Sequence, residues 1–186
     1  MEQILYGAPV AEQLDKISKK IFDEYSNEHK KPHLTAITVG ENPASLLYVS
    51  RKQEKAIELG VEFNWIKLDA LTSQDILGEV ISSEAKETDG IIIQLPLPDH
   101  LDPEEAINCI PHEVDVDGLT SYNLGSLFSE TYKLIPATSL AVLELLNFYK
   151  IKTEDRNIVI AGRSRLVSSP LAKILSSKSY NGNVSV

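Results

Sequence analysis

The sequence predicts an α/β protein with a mainly parallel sheet. Segments with helically spaced apolar residues alternate with short strand-like runs, the order that builds strand–helix–strand units. Ile91-Ile-Ile93 is a continuous apolar run, which suits a strand covered on both faces. At 186 residues the chain can bury a sizeable core, as one domain or two small lobes.

Each element has its own signal. From about Pro9 to His29, Val10, Leu14, Ile17, Ile21 and Phe22 recur at helical spacing, with charged residues between them as the solvated face. His33 to Gly40 reads as a strand closed by a glycine-containing turn. A helix carrying Tyr48 and Lys52 follows and stops near Gly60, a C-terminal cap. Val61 to Leu68 alternates as a strand, and Ser73 caps a helix that runs to Glu87. Beyond the Ile91 run, a helix spans Pro103 to Cys109, and a loop holds Asp115 and Asp117. A helix over Ser139–Tyr149, a strand over Asn157–Ala161, a helix over Leu166–Ser177 and a last strand from Asn183 complete the reading. The boundary between lobes falls near Pro136 to Thr153, and the second lobe is short of strands for an independent nucleotide-binding sheet.

Composition narrows the function classes. The net charge of −9 argues against general binding to a nucleic-acid backbone, which needs clustered Lys and Arg. It leaves room for a small anionic ligand held by one local arginine. No apolar run approaches the roughly 20 residues that span a bilayer. The start, Met1-Glu-Gln-Ile-Leu-Tyr, lacks the basic and apolar regions of a secretory signal. The single cysteine, Cys109, gives no disulfide framework and fits a reducing compartment, so the cytoplasm is the expected location. His29, His33, His100 and His112 are scattered without metal-ligand spacing, and no metal site is expected.

Tyr48, Lys52, Gln94 and Asp117 form a chemically coherent set: a stacking phenol, an amine, a neutral amide and a carboxylate, suited to a polar heterocycle. Tyr48 and Lys52 are four residues apart in a helical stretch and so share a face. Proton transfer by an amine calls for burial or a nearby positive charge, and Arg51 and Lys55 are near in sequence. Gln94 ends an apolar strand, and open α/β sheets bind ligands beyond the carboxyl ends of their strands. The competing roles are plain ones: a solvated helix lysine, a packed aromatic, an amide satisfying the turn before Pro96, and a tight turn at Asp117-Gly118. Asp115 is a candidate for shaping that loop. Gly162-Arg-Ser-Arg-Leu-Val-Ser-Ser-Pro170 lies between a strand and a helix, where free N–H groups favour anions. Arg163 and Ser164 are candidate phosphate partners there. The run is not a Gly-x-Gly-x-x-Gly fingerprint, and taken alone it is better explained as an ordinary strand-to-helix turn.

In order, Gly40-Glu-Asn-Pro-Ala-Ser45, Tyr48-Val-Ser-Arg-Lys52, Gly90-Ile-Ile-Ile-Gln94-Leu-Pro-Leu-Pro98, Asp115-Val-Asp-Gly-Leu-Thr120, Pro136-Ala-Thr138 and Gly162-Arg-Ser164 resemble the signatures of the bifunctional methylenetetrahydrofolate dehydrogenase/cyclohydrolase (FolD) family. The resemblance covers nearly the whole chain. It implies two lobes around a cleft: a folate-binding catalytic domain over 1–138, and the start of a Rossmann-like NADP domain over 139–186. It implies oxidation of 5,10-methylenetetrahydrofolate by NADP rather than NAD, then hydrolysis of the methenyl form to 10-formyltetrahydrofolate, within one-carbon metabolism. It also implies that Lys52 is the acid/base residue, that Gln94 orients it, that Tyr48 stacks on the folate and that Asp117 anchors the pterin. Gly162, Arg163 and Ser164 would hold NADP, and the protein would be a homodimer.

The sequence departs from the family pattern at named positions. Val114 replaces the lysine before Asp-Val-Asp-Gly, and Pro136-Ala-Thr-Ser-Leu-Ala141 replaces Pro-Cys-Thr-Pro-x-Gly. Ser168 replaces a glycine of Gly-Arg-Ser-x-x-Val-Gly-x-Pro, adding a side chain where backbone approaches the dinucleotide. The rest of the nucleotide lobe, with its Pro-Gly-Gly-Val-Gly-Pro run, is not in this sequence. Two other readings therefore stand beside the bifunctional enzyme. One is a non-catalytic or cyclohydrolase-only folate-binding or dimerisation module. The other is a lobe of an amino-acid or sugar-phosphate oxidoreductase, which explains the α/β pattern but not the four-residue set.

Overall fold

The computed structural model describes residues 4–186; the Met1-Glu-Gln start lies outside them. The elements run α1 (Gly7–Glu28), β1 (His33–Val39), α2 (Pro43–Leu59), β2 (Glu62–Leu68), α3 (Gln74–Glu84), β3 (Gly90–Ile93) and α4 (Pro103–Asn108). They continue as α5 (Ser121–Ser129), α6 (Ala137–Phe148), β4 (Asn157–Val159), α7 (Ser168–Leu175) and β5 (Asn183–Ser185). The described residues divide into two compact units: one is Asp15–Val116, and the other holds residues 4–14 together with Asp117–Val186.

In the Asp15–Val116 unit three parallel strands lie in the order β2-β1-β3. Successive side chains of a strand point to opposite faces, and the sheet uses both. Ala36 and Ile92 pack with Val49 of α2 on one face. Ile37, Val39, Ile91 and Ile93 pack with Leu77 and Ile81 of α3 and Ala106 of α4 on the other. That double cover is why β3 is buried at every position, as its unbroken apolar run predicts. Thr88, just before β3, links the strand starts: its hydroxyl oxygen lies 2.9 Å from both the His33 and the Gly90 carbonyl oxygens, and its one hydrogen is shared between them.

The other unit is built on a second parallel pair, β4 and β5, in the register Asn157↔Asn183 to Val159↔Ser185. Leu127 of α5, Leu143 of α6 and Leu171, Ile174 and Leu175 of α7 form its core, with Ile158 and Val184 of the strands packed against them.

Helices α1 and α5 differ from the sequence reading. Helix α1 forms as expected, but of its apolar stripe only Val10 is buried, while Leu14, Ile17 and Ile21 stay exposed. Helical spacing fixes which side chains share a face; it does not supply the surface they pack on. Helix α5 was not expected. Its start is capped by the Thr120 hydroxyl, which accepts from the Asn123 N–H at 3.3 Å. No helix among the described residues is long and apolar enough to cross a membrane.

Candidate active site

The first site is set by strand order. β2 lies on one side of β1 and β3 on the other, so the direction of winding reverses at β1. Ligands of open α/β sheets bind at such a reversal, beyond the carboxyl ends of the strands. Gln94 occupies that position at the end of β3, held in register by its N–H, which donates to the Ile37 carbonyl of β1 at 2.9 Å. Helix α2 starts just past the corresponding end of β1. Its N-cap, Asn42, accepts through Oδ1 from the Ala44 and Ser45 N–H groups at 3.0 and 3.1 Å, and Pro43 opens the helix where no donor is needed. Gly60 closes it in a left-handed conformation, its N–H donating to the last turn.

The Lys52 ammonium donates to Gln94 Oε1 at 3.1 Å. The amide is oriented from its other end, where Nε2 donates to the Leu95 carbonyl at 2.8 Å. That carbonyl also accepts from the Ser45 hydroxyl at 3.4 Å. A glutamine amide offers one acceptor end and one donor end, so the Leu95 contact decides that oxygen faces the lysine. Lys52 and Gln94 are both half-buried, and a hydrogen bond to a charged group in such a place contributes about 1.5–3 kcal/mol. Ser45 lay in a family signature but was not among the site residues expected from the sequence. The signal was present: Ser45, Tyr48 and Lys52 fall at i, i+3 and i+7 of one helix face.

Tyr48 is 57% exposed, so its ring is open to a ligand rather than packed on the sheet. Tyr48 and Lys52 line a cavity of about 590 Å³ together with Arg51, Lys55 and apolar residues including Phe22 and Leu34. Lys55 is committed elsewhere, bonded to Glu58 at 2.8 Å and Asp15 at 2.9 Å. Those carboxylates, Glu58 first, hold its ammonium above the usual lysine range.

The carboxylate set splits. Asp115 is 1% exposed and forms a parallel bridge with Ile91 beside β3, which fits a loop-shaping role. Asp117 is half-buried and opens the Asp117–Val186 segment of the other unit. Gly118 follows with φ +67, and a Cβ there would lie 3.1 Å from the Pro136 nitrogen. The tight turn and the carboxylate therefore coexist: Gly118 makes the turn, and Asp117 keeps its side chain.

The second candidate site is the turn from β4 to α7. Gly162 has φ +149, and Arg163 and Ser164 are exposed. The Ser164 hydroxyl accepts from the Leu166 N–H at 3.1 Å, and its carbonyl accepts from the Ser169 N–H at 3.0 Å, which folds the turn onto the helix start. Helix α7 begins two residues later than its apolar pattern predicts, because 165–167 form that turn. A glycine whose Cβ position is closed, a cationic exposed loop and a helix start without a side-chain cap together fit a phosphate-bearing cofactor.

Residues 5–117 match the profile of the tetrahydrofolate dehydrogenase/cyclohydrolase catalytic domain, and residues 136–186 that of the corresponding NAD(P)-binding domain. The chain is 37% identical over 185 residues to the bifunctional protein FolD of Salinibacter ruber, covering 98% of this chain and 62% of that one. A 5,10-methylenetetrahydrofolate dehydrogenase from the silkworm Bombyx mori matches with a TM-score of 0.95 at 32% identity, over 100% of this chain and 67% of that one. The Trypanosoma brucei methylenetetrahydrofolate dehydrogenase-cyclohydrolase, solved with NADP and an inhibitor, matches at 0.90 and 28% identity, over 100% and 64%. The chain spans about 62% of the length of the first curated relatives it matches.

Proposed function

The chain belongs to the tetrahydrofolate dehydrogenase/cyclohydrolase family, and from that membership we propose a bifunctional folate enzyme. It oxidises 5,10-methylenetetrahydrofolate to the 5,10-methenyl form with NADP and hydrolyses the methenyl form to 10-formyltetrahydrofolate. The observation that carries this reading is the Lys52–Gln94 hydrogen bond of 3.1 Å at the point where the sheet reverses.

Hydrolysis forms a bond from a water oxygen to the methenyl carbon and breaks that carbon's bond to one ring nitrogen. One proton from the water reaches the departing nitrogen, and one goes to solvent. Lys52 is the group in the set able to take a proton from the water and return it to that nitrogen. Gln94 holds Lys52 in place through a neutral acceptor, its amide oxygen. Tyr48 stacks on the folate, and Asp117 accepts hydrogen bonds from the amino-substituted pterin. NADP supplies the hydride acceptor for the oxidation. Gly162, Arg163 and Ser164 hold it, and the guanidinium of Arg163 pairs with the 2′-phosphate, which favours NADP over NAD.

The domain assignment follows the same reading, with folate chemistry in 1–138 and the nucleotide domain beginning at 139. A homodimer in the cytoplasm, serving one-carbon metabolism and through it purine biosynthesis, completes the proposal. The deciding experiment measures hydrolysis of methenyltetrahydrofolate by Lys52→Met. Turnover should fall by roughly 10²–10⁴-fold, the usual contribution of a positioned proton-transfer group, while circular dichroism and melting stay close to wild type. Wild-type hydrolysis in that variant would overturn the assignment. Folate binding with neither activity in the unsubstituted protein would instead mark a binding module.

A further inference from the structure

We propose that Arg51 is a substrate-binding residue, its guanidinium pairing with a carboxylate of the glutamate tail of the folate. The proposal rests on the reading of Tyr48, Lys52 and Gln94 as a folate site and deepens it. It gives a role to a cation that the proposed proton transfer does not use.

Arg51 lies on α2 three residues after Tyr48 and next to Lys52, and all three line the same cavity of about 590 Å³. Residues three apart are neighbours on a helix surface, so Arg51 stands beside Tyr48 on the face that the cavity opens over. Phe22, Leu34 and Leu59 give that cavity apolar walls. Its charged groups are few and almost all committed. Lys52 donates to Gln94 Oε1 at 3.1 Å, and Lys55 is paired with Glu58 and Asp15. The carboxylate in the lining, Asp89, accepts from the His33 N–H at 2.9 Å. Arg51 is exposed and, among the described residues, its guanidinium meets no carboxylate or other acceptor.

The chemistry of the substrate supplies the partner. In 5,10-methenyltetrahydrofolate the reacting carbon bridges N5 and N10, and N10 carries a benzoyl ring that an amide joins to glutamate. With Lys52 at that carbon and Tyr48 stacked on the folate, the tail runs out along the cavity that Arg51 shares with them. The benzoyl ring suits the apolar walls, and both glutamate carboxyls are ionised at neutral pH. A carboxylate matches the planar fork of a guanidinium with two parallel hydrogen bonds. Lys55 could take that place only by giving up Glu58 and Asp15. Arg51 is therefore the cation available to the tail.

Isothermal titration with two ligands tests the assignment. Tetrahydrofolate carries the glutamate, and tetrahydropteroyl methylamide has the same pterin and benzoyl ring with an uncharged end. Arg51→Met should weaken tetrahydrofolate roughly fivefold, the upper end for an ion pair open to solvent, and leave the methylamide within about twofold. Arg51→Lys, which keeps the charge without the fork, should lie between wild type and Arg51→Met. Unchanged or tighter tetrahydrofolate binding in Arg51→Met overturns the proposal. Equal weakening of both ligands also overturns it, since it marks a role in the shape of the cavity alone. Wild-type protein that binds neither ligand refutes the folate reading, and the tail assignment falls with it. Wild-type protein that binds both, with Arg51→Met indistinguishable from it, refutes the tail assignment and leaves the Lys52–Gln94 site standing.

Discussion

Because Gln94 donates through Nε2 to the Leu95 carbonyl at 2.8 Å, its oxygen is the end presented to Lys52. A carboxylate is the closest substitute in shape and the worst in chemistry. Gln94→Glu loses the donor that meets the Leu95 carbonyl, placing two acceptors against each other. It also converts the Lys52 contact into an ion pair, which takes the amine out of proton exchange. Hydrolytic kcat should fall by roughly tenfold or more, with KM changing less, because Tyr48, the proposed stacking partner, is untouched. Steady-state kinetics on the methenyl substrate checks this, and an unchanged kcat would mean that the amide's neutrality is incidental. The spacing of Tyr48 and Lys52 was legible in the sequence because helix geometry relates residues four apart. The Lys52–Gln94 contact was not, because it joins residues 42 apart in the chain. It becomes visible once β3 is known to lie beside β1 and Gln94 to follow β3.

At the level of elements, α2 depends on its caps as well as on its buried stripe of Ser45, Val49 and Ala56. Asn42 satisfies two N–H groups of the first turn, so Asn42→Ala should lower stability by about 1 kcal/mol. A urea melt would show a lower midpoint at unchanged slope; an unmoved midpoint would mean that packing alone sets the helix start. Gly60 and Ser73 are sequence signals of the same kind, and the structure uses both as caps. Helix α5 shows where such reading stops. Ser121-Tyr-Asn-Leu-Gly-Ser combines weak helix formers with Gly125, and local propensity alone favours a loop. The helix exists because Leu127 is buried in a cluster with Leu171 and Ile174 of α7, far along the chain. Strand β4 shows the converse. Its apolar run continues to Ala161, but strand pairing with β5 ends at Val159↔Ser185.

Across the whole molecule the two candidate sites draw on separate cores. The sheet carrying Gln94 packs around Ile37, Leu77, Ile81 and Ile91, and the β4–α7 turn is supported by Leu143, Leu171, Ile174 and Leu175. A ligand that binds only the native state stabilises what it touches, by about 2.7 kcal/mol at a free concentration one hundred times its Kd. Amides that exchange through opening of the bound segment then slow by about a hundredfold, while segments that open independently keep their rates. NADP at that concentration should therefore slow hydrogen exchange most in peptides over 157–176, which include the Gly162 turn and α7. Peptides over 33–93, which hold β1, α2 and β3, should change far less with NADP alone. A folate analogue should reverse the pattern, protecting α2 and the residues after Ile93. Mass-spectrometric exchange with each ligand separately makes the comparison. Measurable NADP binding without protection at 157–176 would remove Gly162, Arg163 and Ser164 from the cofactor site and leave the Lys52–Gln94 assignment standing.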